Sequence, residues 1–240
     1  MGAGGTPGRA GGKGGARLAP AGGRVPEPTL ARLSFYLRLL RQLAGEGVST
    51  ISSAQIEARL GITSAQVRKD LSHLGEFGRP GIGYDVDHLL RRLSEIMHLD
   101  REQRTVIVGA GNLGAALVGY WGFASTPFRI VGIFDNNFSK IGRMLWTLEI
   151  QDVERLPELN QTLQASIGLL TVPAEAAQEA ADRLVAAGIR AILNFAPTLI
   201  TVPPGVAVRH VDLTRELEIL AFLLDGKSGE AVPSSGPEGG

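Results

Sequence analysis

The sequence predicts an α/β protein in two dissimilar parts, a small helical module followed by a doubly wound parallel sheet. Three observations support that fold class. Apolar residues recur at helical spacing before residue 100, apolar β-rich runs alternate with helical stretches after it, and a glycine-rich turn joins the first such run to a helix. Strands separated by crossover-length helices favour a parallel sheet that is covered on both faces.

The composition is that of an ordinary soluble protein and excludes several classes. The 240 residues carry 24 Lys and Arg against 24 Asp and Glu, and 44% of them are hydrophobic. Because cysteine is absent, disulfides, thiolate zinc sites, iron–sulfur clusters and a cysteine nucleophile are excluded. No apolar run approaches the roughly 20 residues of a membrane helix. Residues 1–25 lack the apolar core of a signal peptide, so we expect a cytoplasmic protein.

The charges are distributed unevenly along the chain. Residues 1–84 hold 11 Lys and Arg against 5 Asp and Glu, whereas residues 85–240 hold 13 against 19. This asymmetry is typical of a polyanion-binding module joined to a neutral or acidic one. A basic tail that merely aids solubility explains the charge of the first half equally well.

Low-complexity segments border the part of the chain that is expected to fold. Residues 1–25 contain ten glycines and no acidic residue, and residues 226–240 are rich in Gly, Pro and Ser. Neither segment can bury enough apolar surface to offset its ordering entropy, so both are expected to be disordered. Between them we expect a helical module at 26–100, a sheet domain at 101–212 and a terminal helix at 213–225.

The helical module contains a predicted helix–turn–helix. A leucine pattern from Leu30 to Leu43 predicts an amphipathic first helix. Two capping boxes, Ser52 with Gln55 and Thr63 with Gln66, then begin two short helices. These helices are expected at Ala54–Leu60 and Ser64–Leu74, and the turn Gly61–Thr63 joins them. A turn-rich stretch at 79–84 predicts a small hairpin, and a fourth helix follows over 86–97.

The second short helix has one face suited to DNA. Its apolar residues Ala65, Val67, Leu71 and Leu74 are expected to pack inward, leaving outward Ser64, Gln66, Arg68, Lys69, Ser72 and His73. Arg68 suits bidentate contact with guanine, and Lys69 or Ser72 suits phosphate. The candidate DNA contacts are completed by Ser52, Ser53, Thr63, Arg79 and Tyr84. A solvated helix face is the alternative, but a helix–turn–helix followed by a basic hairpin is the plan of a winged helix.

The sheet domain opens with a dinucleotide-binding pattern. The strand Thr105–Val108 runs into Gly109-Ala110-Gly111-Asn112-Leu113-Gly114, and a helix follows at once. The glycines allow a tight turn, the approach of a pyrophosphate and close packing of helix on strand, and the helix N-terminus faces the anion. The next strand ends in Asp135, 21 residues after Gly114, where such a fold places a carboxylate on the adenosine ribose. We therefore predict a Rossmann-type domain that binds NAD(H).

Other residues bear on the choice of nucleotide. Asp135 favours NAD over NADP because it repels a 2′-phosphate, although the cations Lys140 and Arg143 lie close to it in sequence. Two segments follow predicted strands at the edge where open α/β sheets bind ligands, and they are Thr171-Val172-Pro173 and Asn194-Phe195-Ala196. Ordinary turns explain both segments equally well.

No catalytic set accompanies this domain. Hydride transfer needs a positioned acid or base, and the only histidine of residues 101–212 is His210. A lone histidine near a strand end is more often structural, so we expect neither catalysis nor a metal site. The alternatives from other classes are a small NAD-dependent oxidoreductase or a CoA-binding enzyme subunit, since the compact domain also resembles those of CoA ligases. A third interpretation makes residues 26–100 a protein-interaction module.

Several motifs resemble those of the Rex family of redox-sensing repressors. The motifs are Gln66–Ser72, Gly81–Tyr84, Gly109–Gly114, Leu170–Gln178, Ile192–Pro197 and Val211–Leu213, within a resemblance that spans roughly Val25–Leu224. It implies a homodimeric repressor that binds an inverted-repeat operator when NADH is low and releases it when NADH binds. NADH and NAD+ are then the sensed ligands, with NAD+ bound more weakly.

The resemblance also implies how the two parts communicate. Family members exchange a C-terminal helix between subunits, here Thr214–Leu224, and its apolar residues lie on most sides, which independently favours an interface. The positions Arg38, Tyr120 and Asp212 match the family's interdomain contacts near the cofactor. The glycine-rich leader at 1–25 departs from the family's usual pattern.

Overall fold

The computed structural model describes residues 25–75, 78–79, 81–124 and 126–225. The chain divides into two compact units, with the break between Ile96 and Met97. The leader before residue 25 and the segment 226–240, both expected to be disordered, lie outside the described residues, as does the side chain of Arg79.

The described residues of the first unit form four helices and a small antiparallel sheet. The helices are α1 (Glu27–Gly45), α2 (Ser53–Leu60), α3 (Ser64–Ser72) and α4 (Val86–Ile96), and the strands are β1 (Thr50–Ile51), β2 (Gly78–Arg79) and β3 (Gly83–Asp85). The strand order is β1-β3-β2, so the hairpin gains a third strand. The helix–turn–helix and hairpin are confirmed. Strand β1 was not predicted, because two residues are too few to show the alternation of a strand.

Local hydrogen bonds begin the two short helices. The Gln55 N–H donates to Ser52 Oγ at 3.2 Å and the Ser52 N–H donates to Gln55 Oε1 at 2.8 Å, which are both bonds of the predicted capping box. Thr63 Oγ1 accepts the Gln66 N–H at 3.2 Å. The second box is not closed, because the Gln66 amide donates to Asp70 instead.

The core of the first unit is built from the apolar faces of its helices. Fully buried side chains are contributed by every helix, among them Leu33, Leu40, Ile56, Val67, Leu71, Leu89 and Leu93. The expectation that Ala65 packs inward is wrong, because this residue is exposed. Val67, Asp70 and Leu71 form the buried side of α3. Helix α3 therefore turns a carboxylate, rather than a methyl group, toward the core.

The second unit is built on a seven-stranded sheet. Its strands are β4 (Gln103–Val108), β5 (Phe128–Asp135), β6 (Met144–Leu145), β7 (Leu148–Asp152), β8 (Ile167–Leu170), β9 (Ala191–Asn194) and β10 (Ala207–His210), in the order β10-β9-β8-β4-β5-β7-β6. Among the described strands of this sheet, only the β6–β7 pair is antiparallel. The chain starts in the middle at β4 and fills one side before the other, which confirms the doubly wound parallel sheet. Strands β6, β7 and β10 were not predicted.

Helices complete the described part of the second unit. They are α5 (Asn112–Val118), α6 (Leu156–Leu163), α7 (Ala177–Ala186) and α8 (Leu213–Asp225), with short 3-10 turns at Trp121–Phe123, Val153–Arg155 and Ala174–Ala176. Successive strand residues face opposite sides. Accordingly, Phe134 belongs to one buried apolar cluster and its neighbour Ile133 to the other.

Helix α8 is apolar but exposed. Its large apolar side chains are between 40% and 87% exposed, and they are Leu213, Leu217, Ile219, Leu220, Phe222, Leu223 and Leu224. Such a continuous apolar surface is unusual on a single soluble chain. Among the residues described, no helix is both long enough and apolar enough to cross a membrane.

Candidate functional site

A cavity of about 420 Å³ lies at the carboxyl ends of the parallel strands. It borders β4 and β8, where the strand order reverses, which is the point at which open α/β sheets bind ligands. Six of the predicted cofactor-binding residues line it, namely Gly109, Gly111, Asp135, Thr171, Val172 and Pro173. Its size falls within the range of small-molecule sites, about 300–1,000 Å³.

The glycine turn has the geometry that close packing requires. Gly109 has φ +108°, and a Cβ there would lie 2.5 Å from the carbonyl oxygen of Thr171. A Cβ at Gly114 would lie 1.9 Å from the carbonyl oxygen of Gly109. A Cβ at Gly111 would meet nothing within 4 Å, so the backbone is open to a ligand at this point. These three environments fit a turn that admits a pyrophosphate.

Asp135 presents an ionised carboxylate to the cavity. Its Oδ2 accepts the Ala110 N–H at 2.8 Å and Lys140 Nζ at 2.9 Å, and its Oδ1 accepts the Asn137 N–H at 2.8 Å. Burial alone would raise the pKa of Asp135, but Lys140 and the two backbone N–H groups together hold that pKa below its usual value. The carboxylate is therefore available as an acceptor for ribose hydroxyls.

The cavity lining also includes part of an ion cluster that was not predicted. Arg183 on α7 pairs with Glu154, and it also pairs with Glu179 at 2.7 Å. Arg183 donates hydrogen bonds to Glu154 and Glu179, which raises the pKa of Arg183, so its charge is permanent and balanced. The Glu179–Arg183 pair could have been predicted from its i,i+4 spacing on a predicted helix. Glu154 lies in a different element, so no local pattern predicts its pairing with Arg183.

The remaining predicted cofactor residues do not line the cavity. They are Ala110, Asn112, Leu113, Gly114, Asn194, Phe195 and Ala196. Asn194 is fully buried, donates to the Thr198 carbonyl at 2.7 Å and accepts the Ala196 N–H at 2.9 Å. The side chain of Asn194 thus closes its own turn, and the structure supports the ordinary-turn interpretation of this segment.

Helix α3 presents a basic polar face. Its exposed residues include Arg68, Lys69 and Ser72, and the exposed His73 follows directly at its C-cap. Arg68 Nη1 donates to Ser53 Oγ at 3.1 Å, so a residue of α2 helps to position this guanidinium. The Ser72 hydroxyl donates to the Lys69 carbonyl at 2.8 Å. These side chains can reach phosphates and base edges without rearrangement of the core.

Other candidate DNA contacts are engaged within the protein. Ser52 and Thr63 cap their helices, and Ser64 donates from its hydroxyl and its N–H to Glu57, which lowers the pKa of Glu57. Tyr84 is only 8% exposed, because its ring packs inside the unit. A DNA-contacting role for the Tyr84 ring is therefore corrected to a packing role.

A buried network holds α3 against α1. Asp70 accepts Arg32 Nε at 2.6 Å and Arg32 Nη2 at 2.8 Å, the Tyr36 hydroxyl at 2.8 Å and Gln66 Nε2 at 2.7 Å. Burial alone would raise the pKa of Asp70, but Arg32, Tyr36 and Gln66 hold it below its usual value. Gln66, predicted to face outward, is half-buried and turned toward this carboxylate. Thr29 lies at the edge of the network, 3.5 Å from Asp70.

The three candidate switch residues occupy separate places. Arg38 is exposed on α1 and borders a groove with Phe35 and Arg59 in the first unit. Tyr120 and Asp212 belong to the second unit, where Tyr120 is half exposed and Asp212 Oδ1 accepts the first N–H groups of α8. Contacts among the three remain a prediction. Within the described ranges, no group of three or more His, Asp or Glu side chains is placed to hold a metal ion.

Comparison with known proteins covers both units. Residues 24–72 match a family described as putative DNA-binding protein N-terminus, and residues 100–198 match a family described as CoA binding domain. The chain is 49% identical over 201 residues to a redox-sensing transcriptional repressor Rex of Carboxydothermus hydrogenoformans, covering 84% of this chain and 97% of that protein. It is 46% identical over 212 residues to the Rex of Streptomyces coelicolor, covering 88% and 82%.

Solved structures agree with these relatives. The chain is similar to RSP in complex with NAD+ and operator DNA, with TM-score 0.81 and 38% identity, over 85% of this chain and 94% of that one. It is also similar to RSP in complex with NADH, with TM-score 0.75 and 37% identity, over 84% and 94%. RSP is described as a Rex-family repressor.

Proposed function

This chain belongs to the Rex family of redox-sensing transcriptional repressors, and we propose that it binds operator DNA when NADH is low and releases it when NADH binds. The observation that carries this function is the likeness, over 85% of the chain, to a repressor solved with both NAD+ and operator DNA. The chain is a sensor and not an enzyme. Its Rossmann-like unit binds the nicotinamide dinucleotide whose redox state is read.

The cavity of the second unit suits the adenosine half of that dinucleotide. The turn Gly109–Gly114 gives the pyrophosphate an open approach at Gly111, and the Asp135 carboxylate accepts hydrogen bonds from the ribose. Thr171 supports this turn, since its Oγ1 donates to the Gly109 carbonyl at 2.8 Å. The family description that mentions CoA covers the same unit, but the buried acceptor at Asp135 favours a ribose with free hydroxyls over the phosphorylated ribose of CoA.

The first unit suits the major groove. Arg68 is placed for base edges, and Lys69, Ser72 and His73 are placed for base edges or phosphates along the same helix face. The hairpin of β2 and β3, which includes Arg79, is then the wing that contacts the backbone or the minor groove. Gln66 and Tyr84 support these contacts from inside the unit rather than making them.

The chain acts as a homodimer on an inverted repeat. The exposed apolar surface of α8 supports a dimer in which this helix is exchanged between subunits, because burial in a partner removes that surface from water. Two copies then present two α3 helices to the two half-sites of the operator. Since its partner is operator DNA, we place the protein in the cytoplasm.

NADH acts by preferring one of two arrangements of the dimer. A ligand shifts such an equilibrium only by its differential affinity for the two states, and about 5.5 kcal/mol moves it from 1:99 to 99:1. Arg38, Tyr120 and Asp212 are the proposed switch residues that couple nicotinamide binding to this change. If Arg38→Ala and Asp212→Ala both leave the NADH response of DNA binding intact, this part of the proposal fails.

The decisive experiment is fluorescence anisotropy of a labelled inverted-repeat operator titrated with the full chain at fixed salt. NADH, NAD+ and NADPH are added separately. Release by NADH at concentrations where NAD+ and NADPH leave the complex intact supports the sensor. Binding that ignores all three nucleotides contradicts it. Consumption of NADH with a carbonyl substrate would instead favour an oxidoreductase.

A further inference from the structure

We propose that Lys140 sets how strictly the cavity distinguishes a dinucleotide with a free adenosine 2′-hydroxyl from one that carries a 2′-phosphate. Its ammonium offsets the charge of Asp135 and occupies an acceptor site that the ribose needs. This inference rests on the proposed binding of NADH. It concerns selectivity at that site and not the response of the operator complex.

A short turn after β5 places Lys140 over the carboxylate. The Ser139 N–H donates to Asn137 Oδ1 at 2.9 Å, and the Lys140 N–H donates to the Asn137 carbonyl at 2.9 Å. The Asn137 N–H itself donates to Asp135 Oδ1. The turn is therefore tied to the carboxylate at its start and brings Lys140 Nζ back to within 2.9 Å of Asp135 Oδ2.

Asp135 lacks the free acceptor sites to take both ribose hydroxyls while Lys140 is in place. A carboxylate has about four lone-pair sites, two on each oxygen. Oδ2 already accepts Ala110 and Lys140, and Oδ1 accepts Asn137, so a single site is left at Oδ1. A ribose that donates both hydroxyls must displace Lys140, because the two backbone N–H groups belong to the fixed turns.

The displaced ammonium stays close to the 2′ position. The Lys140 side chain is 34% exposed, against 7% for Asp135, so the lysine is the partner that can move. It is attached only five residues after Asp135, through a turn with internal hydrogen bonds. A 2′-phosphate is repelled by Asp135 but attracted by the ammonium of Lys140 beside it. Lys140 therefore weakens the preference for a free 2′-hydroxyl over a 2′-phosphate that a lone carboxylate would impose.

The other charges around the cavity do not take this role. Of the residues that line it, Arg183 is the second cation, and Glu154 and Glu179 already balance its charge. Glu179 adds negative charge and so opposes a phosphate. Arg143 is exposed on the same turn as Lys140 but does not line the cavity. This difference makes Arg143 a matched control.

The test is isothermal titration of the full chain with NADH and with NADPH, without DNA, for the natural protein, Lys140→Met and Arg143→Met. Methionine keeps the length of the lysine stem and removes its charge. We expect Lys140→Met to raise the ratio of the Kd for NADPH to the Kd for NADH by about tenfold, which corresponds to ~1.4 kcal/mol. Arg143→Met should change that ratio by less than about twofold. The Kd for NADH itself should stay equal or fall.

A second pair of variants separates the charge of Asp135 from that of Lys140. Asp135→Asn should lower the ratio of the Kd for NADPH to the Kd for NADH. Adding Lys140→Met to this variant should cancel most of that change, because the cation that attracts the phosphate is then gone. If Lys140→Met leaves the ratio of the Kd for NADPH to the Kd for NADH unchanged or lowers it, the inference is wrong. The proposal that the protein senses NADH would still stand. If the natural protein binds neither nucleotide, the proposed function and the inference are both wrong.

Discussion

Removing the Asp70 carboxylate should destabilise the first unit more than any surface substitution in it. In Asp70→Ala, the Arg32 guanidinium and the Tyr36 hydroxyl lose the acceptor that they share. Removing one member of a buried ion pair costs about 3–5 kcal/mol, since the other charge stays behind unpaired. The Arg32 side chain is 16% exposed and regains some water, so we expect about 3 kcal/mol, at the lower end of that range.

A graded variant and a surface control test the physical origin of this cost. Tyr36→Phe removes a single hydrogen bond to the carboxylate and leaves Arg32 paired, so the expected loss is about 1.5 kcal/mol. Asp87→Ala removes an exposed carboxylate from the first turn of α4, and its cost should stay below about 1 kcal/mol. The expected order of destabilisation is therefore Asp70→Ala, then Tyr36→Phe, then Asp87→Ala.

The two tryptophans allow each unit to be followed separately. Trp121 and Trp146 both lie in the second unit, so their fluorescence reports on that unit, whereas far-ultraviolet circular dichroism also reports the helices of the first. In urea unfolding, Asp70→Ala should move the dichroism transition to lower urea and leave the tryptophan transition in place. If Asp70→Ala lowers the free energy of unfolding of the first unit by less than about 1 kcal/mol, the network contributes little and apolar packing alone holds α3 on α1.

Three other measurements address pH, the glycine turn and DNA. Folding lowers the pKa of Asp70, so its stabilising contribution is complete above the unfolded pKa near 4 and is lost as pH falls through the folded pKa. The free energy of unfolding of Asp70→Ala should therefore depend less on pH below about 4 than that of the natural chain, as measured by acid unfolding. Gly114→Ala places a Cβ 1.9 Å from the Gly109 carbonyl oxygen, so it should weaken NADH binding at least tenfold in calorimetry, and wild-type affinity would contradict the close packing. Lys69→Ala should weaken the binding of operator and of unrelated DNA alike, and it should reduce the slope of log K against log salt by about 1. Arg68→Ala should instead lose the preference for the operator. If Arg68→Ala weakens the binding of both DNAs equally, its proposed role at base edges is refuted.

The elements that the sequence predicted well are those held by local hydrogen bonds or by fixed backbone needs. The capping box at Ser52 closes between residues three apart, so its geometry follows from the chain itself. The turn needs glycine at Gly109 and Gly114 because a Cβ at either position would lie within about 2.5 Å of a backbone carbonyl oxygen. Asp135 could be placed because it ends the second predicted strand, 21 residues after Gly114, where a dinucleotide-binding fold puts a carboxylate.

Short elements and side-chain directions were harder to predict. Strand β1 has two residues, too few for a pattern to distinguish it from a loop. Strand β10 is mostly exposed and ends in Arg209 and His210, so it lacks the apolar run that predicted β8 and β9. Helical spacing alone also misassigned the faces of α3, since Ala65 is exposed and Gln66 is half-buried. A nine-residue helix offers too few apolar positions to define its buried face without its neighbours.

Residues close together in the chain are enough to predict the two-part α/β organisation, the helix–turn–helix and the glycine turn with its carboxylate. The folded structure pairs Asp70 with Arg32, 38 residues away, and turns the Gln66 amide toward the same carboxylate. It also decided that Lys140 caps Asp135 at 2.9 Å, since a flexible lysine five residues away has many directions open to it. Packing selects one of those directions, and no local pattern records that choice.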